Sequence, residues 1–423
     1  MDAGQYGMGI SSESYSESGT RLLRTTDISR GSLTPAKQGV FVKNPPSERY
    51  TLRAGDLLLS RSGTPPGQSY LVREADEGAT FAGYLIRFRP TRDVDPSFLS
   101  YVVRSTPFQH TIRSEAVAST IQNFNAERYA NIEFRAPEYT EQRRIADFLD
   151  AETAYIDKIV TLRMEQETIL VERSYASVSE ILLPKILTAP AGCWPWTWLP
   201  AATQERPLVR LGYVCRLQNG LTVDGKRDVS GDTVTRPYLR VANVQAGGLA
   251  LDTVTEITVP RETAARSALR SGDVLMTEGG DLDKLGRGTV WRGEIPECLH
   301  QNHVFALRPE LDRLDGNYLA LMTRTLHGRN YFESTGTKTT NLASTNSSKI
   351  LSFPIPLPDV SIQRDLAQQA QKALDIVAAA SRRLRHQRSL LAERRQALIT
   401  AAVTGQFDVS TASGRNVTDG VHA

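Results

Sequence analysis

Residues 52–58 read Leu-Arg-Ala-Gly-Asp-Leu-Leu, and residues 269–275 read Leu-Arg-Ser-Gly-Asp-Val-Leu. In both stretches a glycine and an aspartate stand directly before a run of apolar residues. This pattern is typical of a tight turn that leads into a buried strand. Because the same seven-residue pattern occurs twice in one chain, the sequence indicates that a whole folding unit is repeated.

Other short matches surround these two stretches in the same order. They are Gln5-Tyr6-Gly7 with Gln218-Asn219-Gly220, Arg89-Pro90 with Arg308-Pro309, and Gln142-Arg143 with Gln363-Arg364. The separation between matched residues increases slowly along the chain, as expected for two diverged copies with small insertions. A repeat of half the chain is too long for a solenoid. The sequence therefore predicts a tandem duplication of a domain together with the segment that follows it.

The composition is that of an ordinary folded protein. The chain has 423 residues, of which 40% are hydrophobic and 23% charged, and its formal net charge is +3. This length allows two to three domains. Three cysteines, an odd number in a chain of this length, do not indicate a disulfide framework. Residues 1–20 lack the apolar core of a signal peptide, and no run approaches about 18 apolar residues. We therefore expect a cytoplasmic protein without a membrane segment.

The pattern within each copy changes along the chain. Short β-prone runs separated by Gly, Pro, Asn and Asp come first, then a proline-containing strand (residues 132–137 and 350–358), then a long helical pattern. This order predicts an α+β fold, in which two similar mixed α/β domains are separated by two long antiparallel helices that form a coiled coil. The predicted boundaries are 1–139 for the first domain, 140–188 for a central helical spacer, 189–359 for the second domain, 360–409 for a C-terminal helical spacer and 410–423 for a disordered tail.

Apolar residues recur every seven positions in both helical segments, and charged residues flank them. Such a repeat over four or more heptads favours a coiled coil. Two independent amphipathic helices, each packed on its own domain, are the alternative. The residues predicted to form the coiled coil or to dock a partner are Phe148, Tyr155, Leu162, Ile169, Val377, Leu384, Leu391 and Leu398.

The sequence contains no complete catalytic motif of a recognised kind. There is no phosphate-binding loop of the form G-x-x-x-x-G-K-[ST]. Cys298, His300 and His303 are close enough in sequence to suggest a metal site, but a fourth ligand is not evident. The sequence thus assigns no catalytic and no metal-binding residue. A stand-alone nuclease or methyltransferase stays open as one alternative, and a coiled-coil scaffold that binds protein without reading DNA as another.

Several of these features together carry a resemblance to a known family. They are the two Leu-Arg-x-Gly-Asp stretches, the segment Glu141-Gln142-Arg143-Arg144-Ile145-Ala146 after the proline strand, and residues 395–409, which read Arg-Gln-Ala-Leu-Ile-Thr-Ala-Ala-Val-Thr-Gly-Gln-Phe-Asp-Val. With them, the chain resembles the specificity (S) subunits of type I restriction–modification enzymes over nearly its whole length.

This resemblance implies a function. Two target-recognition domains would each read one half of a split site in double-stranded DNA, and the helices would dock the methyltransferase (modification) subunits and restriction/translocase subunits. The chain itself would be non-catalytic and would bind no cofactor, while S-adenosylmethionine, ATP and magnesium would belong to the partner subunits. The second copy has residues 194–212 before its Gln218 anchor, whereas four residues precede Gln5. Two readings stay open: the true start of translation lies upstream of Met1, or the first domain is shortened. In the second case we expect the opening strand to be absent and a sheet edge to be exposed.

Contacts to DNA are expected from Arg, Lys, Asn and Gln side chains in loops. For any single residue of this kind, a solvated surface side chain is the alternative. The predicted DNA-binding residues are Arg61, Gln122 and Asn123 in the first copy, and Lys226, Arg227, Lys284, Arg287, Lys338 and Asn341 in the second.

Overall fold

In the computed structural model, the chain divides into two compact units. Unit 1 comprises Met1–Met164 and Arg385–Ala423, and unit 2 comprises Glu165–Leu384. The described residues are 3–29, 31–43, 47–62, 67–117, 123–183, 208–222, 231–245, 247–280, 285–338, 343–406 and 408–409. No helix in these ranges is long and apolar enough to span a bilayer.

Nine α-helices lie in the described ranges. They are α1 (Pro96–Val102), α2 (Thr106–Val117), α3 (Ala126–Ala130), α4 (Tyr139–Leu182), α5 (Arg261–Ser267), α6 (Gly316–Met322), α7 (Leu326–Thr335), α8 (Ser347–Leu351) and α9 (Val360–Val403). The two long helices, α4 and α9, have 44 residues each. They begin next to the predicted starts of the two spacers, whereas residues 184–188 and the tail 410–423 lie outside the described residues.

The strands of unit 1 are short. They are β1 (Gln5–Tyr6), β2 (Tyr15–Ser16), β3 (Thr20–Leu23), β4 (Ile28–Ser29), β5 (Ser32–Leu33), β6 (Val40–Val42), β7 (Leu57–Ser60), β8 (Ser69–Leu71), β9 (Thr80–Phe81) and β10 (Leu85–Phe88). They form an antiparallel sheet of order β1-β10-β7-β8, a mixed sheet of order β2-β6-β3-β9 and a β4-β5 hairpin.

Unit 2 repeats this topology. Its strands are β11 (Leu208–Arg210), β12 (Cys215–Asn219), β13 (Thr233–Leu239), β14 (Val244–Gln245), β15 (Gly248–Leu249), β16 (Thr255–Pro260), β17 (Val274–Thr277), β18 (Gly279–Gly280), β19 (Gly288–Val290), β20 (Leu299–His300), β21 (Val304–Pro309), β22 (Thr337–Lys338), β23 (Ala343–Ser344) and β24 (Pro354–Pro356). The sheet β12-β21-β17-β19 corresponds to β1-β10-β7-β8, and the sheet β16-β13-β20 and the hairpin β14-β15 correspond to the others. The matching strand orders are those expected of a duplicated domain.

The repeated Leu-Arg-x-Gly-Asp stretch forms the same buried ion pair in each unit. Asp56 is 1% exposed, and its carboxylate accepts hydrogen bonds from Arg89 Nε (2.7 Å) and Nη2 (2.8 Å). Asp273 accepts from Arg308 Nε and Nη2 at 2.8 and 2.7 Å. The glycine before each aspartate has a positive φ, 87° at Gly55, which L-residues with a side chain rarely adopt. This local requirement explains the shared sequence pattern.

Each unit also has a buried glutamine that joins a long helix to the domain. In unit 1, Gln142 of α4 donates to the carbonyls of Asp93 (3.0 Å) and Pro137 (2.9 Å) and accepts from the amide of Asp95 (2.9 Å). In unit 2, Gln363 of α9 makes the three equivalent bonds. The glutamine therefore fixes where each long helix starts relative to the aspartate that caps the neighbouring short helix.

Both long helices take part in the core of each unit. In unit 1, the first turns of α4 (Ile145, Leu149) share one apolar cluster with the last turns of α9 (Leu398, Ile399). In unit 2, the last turns of α4 share a cluster with the first turns of α9. Within each unit, the start of one helix thus lies with the end of the other. Coiled-coil packing along the rest of the helices stays a prediction.

On α4 the predicted heptad positions do not form a continuous buried seam, although Phe148 is half-buried; their role in docking a partner stays a prediction. Tyr155, Leu162 and Ile169 are 64%, 49% and 47% exposed. The buried positions are the next residues along the chain, Leu149 and Ile156. An α-helix turns by about 100° per residue, so this shift moves the seam to a different face. On α9 the predicted positions lie on the covered side: Leu398 is buried, and Val377, Leu384 and Leu391 are half-buried.

The proline-containing strand is present in only one unit. In unit 2, β24 pairs with β11. In unit 1, residues 132–137 do not form a strand, so that prediction is wrong for the first copy. A strand needs a neighbour to satisfy its backbone, and the described part of unit 1 holds no segment that pairs with these residues.

Candidate nucleic-acid interface

One end of the four-stranded sheet of unit 1 brings together two residues predicted to contact DNA. Arg61 follows β7 directly, and its amide donates to the carbonyl of Tyr84, which precedes β10 (2.8 Å). Ser62 pairs with Asn123 in an antiparallel bridge. The amide of Phe124 donates to the carbonyl of Arg61 (2.8 Å). The backbone of Arg61 is therefore held on both sides, and Asn123 lies beside it.

The Nε atom of Arg61 is buried and has no hydrogen-bond partner among the described residues. The guanidinium carbon of Arg61 lies 5.6 Å from the centre of the Tyr6 ring. Within the described part of unit 1, Arg61 has no ion pair. The hydroxyl of Tyr6 accepts from the amide of Ala126 (3.0 Å), which fixes the ring beneath the guanidinium. Tyr84, next to it, is 62% exposed. A cation and an exposed ring at one edge are suited to nucleic acid.

The equivalent end of the unit 2 sheet carries different side chains. Glu278 follows β17, and its amide donates to the carbonyl of His303 (2.8 Å). Its carbonyl accepts from the amide of Thr345 (2.7 Å), and Gly279 pairs with Ser344. The Glu278 carboxylate lies 2.5 Å from His303 Nδ1. Unit 2 therefore presents an acid and an imidazole where unit 1 presents a guanidinium and a phenol.

The remaining predicted DNA-binding residues fall into two groups. Arg287 precedes Gly288, which pairs with Met276, so it lies at the same end of the sheet as Glu278. The backbone of Lys338 pairs with Ala343 in the small sheet beside this end. The others lie outside the described residues: Gln122, Lys226, Arg227, Lys284 and Asn341.

Sequence reasoning missed four residues of this edge, namely Tyr6, Tyr84, Glu278 and His303. A usable signal was present for Glu278, because it stands directly after the repeated strand, in the position of Arg61. Residue type favours donors and amides for DNA contacts, and therefore gives no indication of an acidic or an aromatic residue.

The Cys298, His300 and His303 group does not come together as a metal site. Cys298 is buried, and burial raises the pKa of its thiol to about 12, which disfavours the thiolate that a metal needs. His300 is buried with its Nδ1 2.7 Å from the carbonyl of Val304, and burial lowers its pKa. His303 points instead to Glu278. Within the described ranges, no group of three or more His, Cys, Asp or Glu side chains could hold a metal ion.

Each unit also exposes apolar residues on the outer face of a long helix. In unit 1 these include Tyr155 and Leu162 of α4, which are seven residues apart. In unit 2 they include Ile362 (42% exposed) and Ile376 (71% exposed) of α9, which are two heptads apart. If Gln142 is matched with Gln363, Tyr155 corresponds to Ile376. The two units therefore carry an exposed apolar position at the same place on their helices. We call these positions the outer faces of α4 and α9.

The two units thus define a duplicated chain: both copies have the same strand order and the same Asp–Arg and Gln contacts, and their side chains differ at the sheet end that carries Arg61 in one unit and Glu278 in the other. No protein-family model matches the chain. Over 397 residues it is 22% identical to the specificity subunit of the type I restriction enzyme EcoKI from Escherichia coli. The aligned region covers 91% of this chain and 82% of that protein. It is 19% identical to the StySPI specificity subunit of Salmonella potsdam over the same shares of the two chains.

A solved structure gives the same result for the fold. A chain described in connection with complex assembly and conformational transition of a type I R-M system aligns with a TM-score of 0.67, at 19% identity over 92% of both chains. This likeness confirms the predicted fold class. Together, the relatives and the solved structure confirm the resemblance to type I specificity subunits.

Proposed function

We propose that this chain is the specificity subunit of a type I restriction–modification complex, which acts in the cytoplasm on double-stranded DNA. Each unit would read one half of a two-part sequence. The observation that carries the proposal is the duplicated sheet end, held by the same backbone bonds in both units and bearing different side chains. Two similar readers with different contact residues are what a split, asymmetric site requires.

The chemistry of the complex would belong to the partners. A methyltransferase has to extrude its target base from the duplex and bind a methyl donor. We assign no such role to this chain, so S-adenosylmethionine, ATP and magnesium would act on the methyltransferase and on the restriction or translocase subunits. The outer faces of α4 and α9 are the surfaces we assign to docking these subunits, since large apolar side chains exposed in a row are typical of a partner interface.

The test is to map DNA methylation by single-molecule sequencing in cells that express this chain with its cognate methyltransferase subunit. We expect a motif of two short blocks with a fixed gap, which disappears when the gene for this chain is deleted. A methylation pattern that does not depend on the gene would contradict the proposal and favour a protein-binding scaffold. A chain that methylated or cut DNA alone would instead be a stand-alone enzyme.

A further inference from the structure

The positions of Arg61 and Glu278 are equivalent in three independent backbone contacts. The amide of each donates to the residue before the neighbouring strand, Tyr84 or His303. The carbonyl of each accepts a hydrogen bond from the amide of Phe124 or Thr345, which stands just before the residue that caps the next short helix. The residue after each, Ser62 or Gly279, pairs with the residue before that donor. The backbone therefore presents both side chains from the same place, although one is a cation and the other an acid.

Elsewhere, the side chains that hold the strands and the long helices in place are the same in the two units. Asp56 with Arg89 corresponds to Asp273 with Arg308, and Gln142 corresponds to Gln363. The backbone contacts at this position do not require a side-chain charge, so the difference between Arg61 and Glu278 is available to distinguish two half-sites.

We propose that Arg61 and Glu278 are the equivalent base-reading residues of the two half-sites, Arg61 for guanine and Glu278 for cytosine. This inference rests on the proposed function. In the major groove, guanine presents two acceptors, O6 and N7, which match the paired donors of a guanidinium. Cytosine presents its N4 amino group, which donates to a carboxylate.

Neighbouring side chains prepare each residue for this role. The Tyr6 ring lies against the Arg61 guanidinium, and this ring is itself fixed by its hydroxyl bond to Ala126. His303 Nδ1 lies 2.5 Å from one oxygen of Glu278, which orients the carboxylate, and no described residue hydrogen-bonds to its second oxygen. We regard Tyr6 and His303 as positioning residues, because neither is required to touch the base.

The experiment compares methylation motifs, mapped by single-molecule sequencing, for the complete complex with wild-type chain, Arg61→Gln and Glu278→Gln. We expect Arg61→Gln to reduce the preference for guanine at one position of one half-site by roughly tenfold or more. Glu278→Gln should do the same for cytosine at one position of the other half-site. Arg53→Gln and Glu48→Gln are matched controls, since this exposed ion pair lies toward the opposite end of β7 and should not change the motif.

The outcomes separate the inference from the proposed function. If the wild-type motif is bipartite and both variants retain it unchanged while folding normally by circular dichroism, the inference is wrong and the function stands. If Arg61→Gln weakens methylation of all sites equally, Arg61 contacts phosphate rather than a base, which also overturns the inference. If the wild-type complex yields no gene-dependent motif, the proposed function fails, and the inference fails with it.

Discussion

Asp56 and Asp273 are almost completely buried, and each carboxylate accepts two hydrogen bonds from one guanidinium and a third from the backbone amide three residues earlier. Removing one partner of a buried pair leaves the other charge poorly compensated, which costs about 3 kcal/mol or more. Because the arginines are about one quarter to one third exposed, we expect the lower end of that range. Asp273→Ala should therefore lower the free energy of unfolding of unit 2 by about 3 kcal/mol, measured by urea denaturation.

The exposed Arg53–Glu48 pair provides the control for this prediction. Both side chains are more than half exposed, and a surface ion pair contributes at most about 1 kcal/mol. Glu48→Gln should accordingly leave the urea midpoint nearly unchanged. If Glu48→Gln and Asp273→Ala lowered the urea midpoint equally, the Asp273–Arg308 pair would not be a main source of stability in unit 2.

His327 of α7 gives the protein a specific pH dependence. Its ring is buried against Phe353, its Nε2 lies 2.7 Å from the carbonyl of Pro354, and burial lowers its pKa to about 4 from the ordinary 6.5. Below pH 6.5 this imidazole becomes protonated in the unfolded chain, whereas in the folded chain it stays neutral until about pH 4. We therefore expect the contribution of His327 to the free energy of unfolding to be complete above pH 6.5 and to decrease as the pH falls toward 4, by about 3 kcal/mol in total.

Urea denaturation at pH 7 and pH 5 would measure this contribution. His327→Gln should be less stable at pH 7, because the ring contact with Phe353 is lost, but its stability should decrease less between the two pH values. Exposed His110 of α2 is the matched site, and His110→Gln should keep the wild-type difference. An unchanged pH difference in His327→Gln would show that other groups cause it.

At the scale of the element, the attachment of α9 to the domain depends on Gln363. Its amide nitrogen donates to the carbonyls of Arg313 (2.8 Å) and Pro358 (2.7 Å) in a fully buried position. Gln363→Glu removes both donors and sets a carboxylate against two carbonyl oxygens, so we expect a loss of about 3 kcal/mol. Thermal unfolding of this variant should be compared with Gln369→Glu, which makes the same change at an exposed position of α9. Similar melting temperatures for the two variants would refute the role of Gln363.

The long helices also show what sequence periodicity can predict. The repeat, the two helices and their starting points follow from pattern, because glycine turns, buried glutamines and heptads leave local marks. Sequence pattern did not predict which face of α4 is buried. Two apolar stripes run along this helix one residue apart, and the buried one is interrupted by the partly covered Arg163, so the exposed stripe has the cleaner heptad. Only tertiary packing decides between two adjacent stripes of this kind.

At the scale of the whole molecule, the same limit applies to the candidate DNA interface. Arg61 and Asn123 are 62 residues apart in sequence, and the bridge between Ser62 and Asn123 that joins them is a tertiary contact. Residue type alone suggested Arg61, but it could not indicate Tyr84 or Glu278. Duplication is the stronger guide here, since aligning the two copies on their shared frame marks the edge positions where they differ.

Duplication also predicts the composition of the complex. Because each unit carries an exposed apolar position at the same place on a long helix, we expect two copies of the methyltransferase subunit per chain. Native mass spectrometry of the purified complex would measure this. Tyr155→Glu and Ile376→Glu each place a charge in one docking face, and burying an unpaired charge is unfavourable. Each variant should lose one methyltransferase copy, and the double variant should lose both. Thr161→Glu, on an exposed part of α4 that faces away from Tyr155, should retain two copies. A complex that keeps both copies with the double variant would contradict docking on these outer faces, whereas one that loses both with either single variant would mean that the two copies bind cooperatively rather than independently.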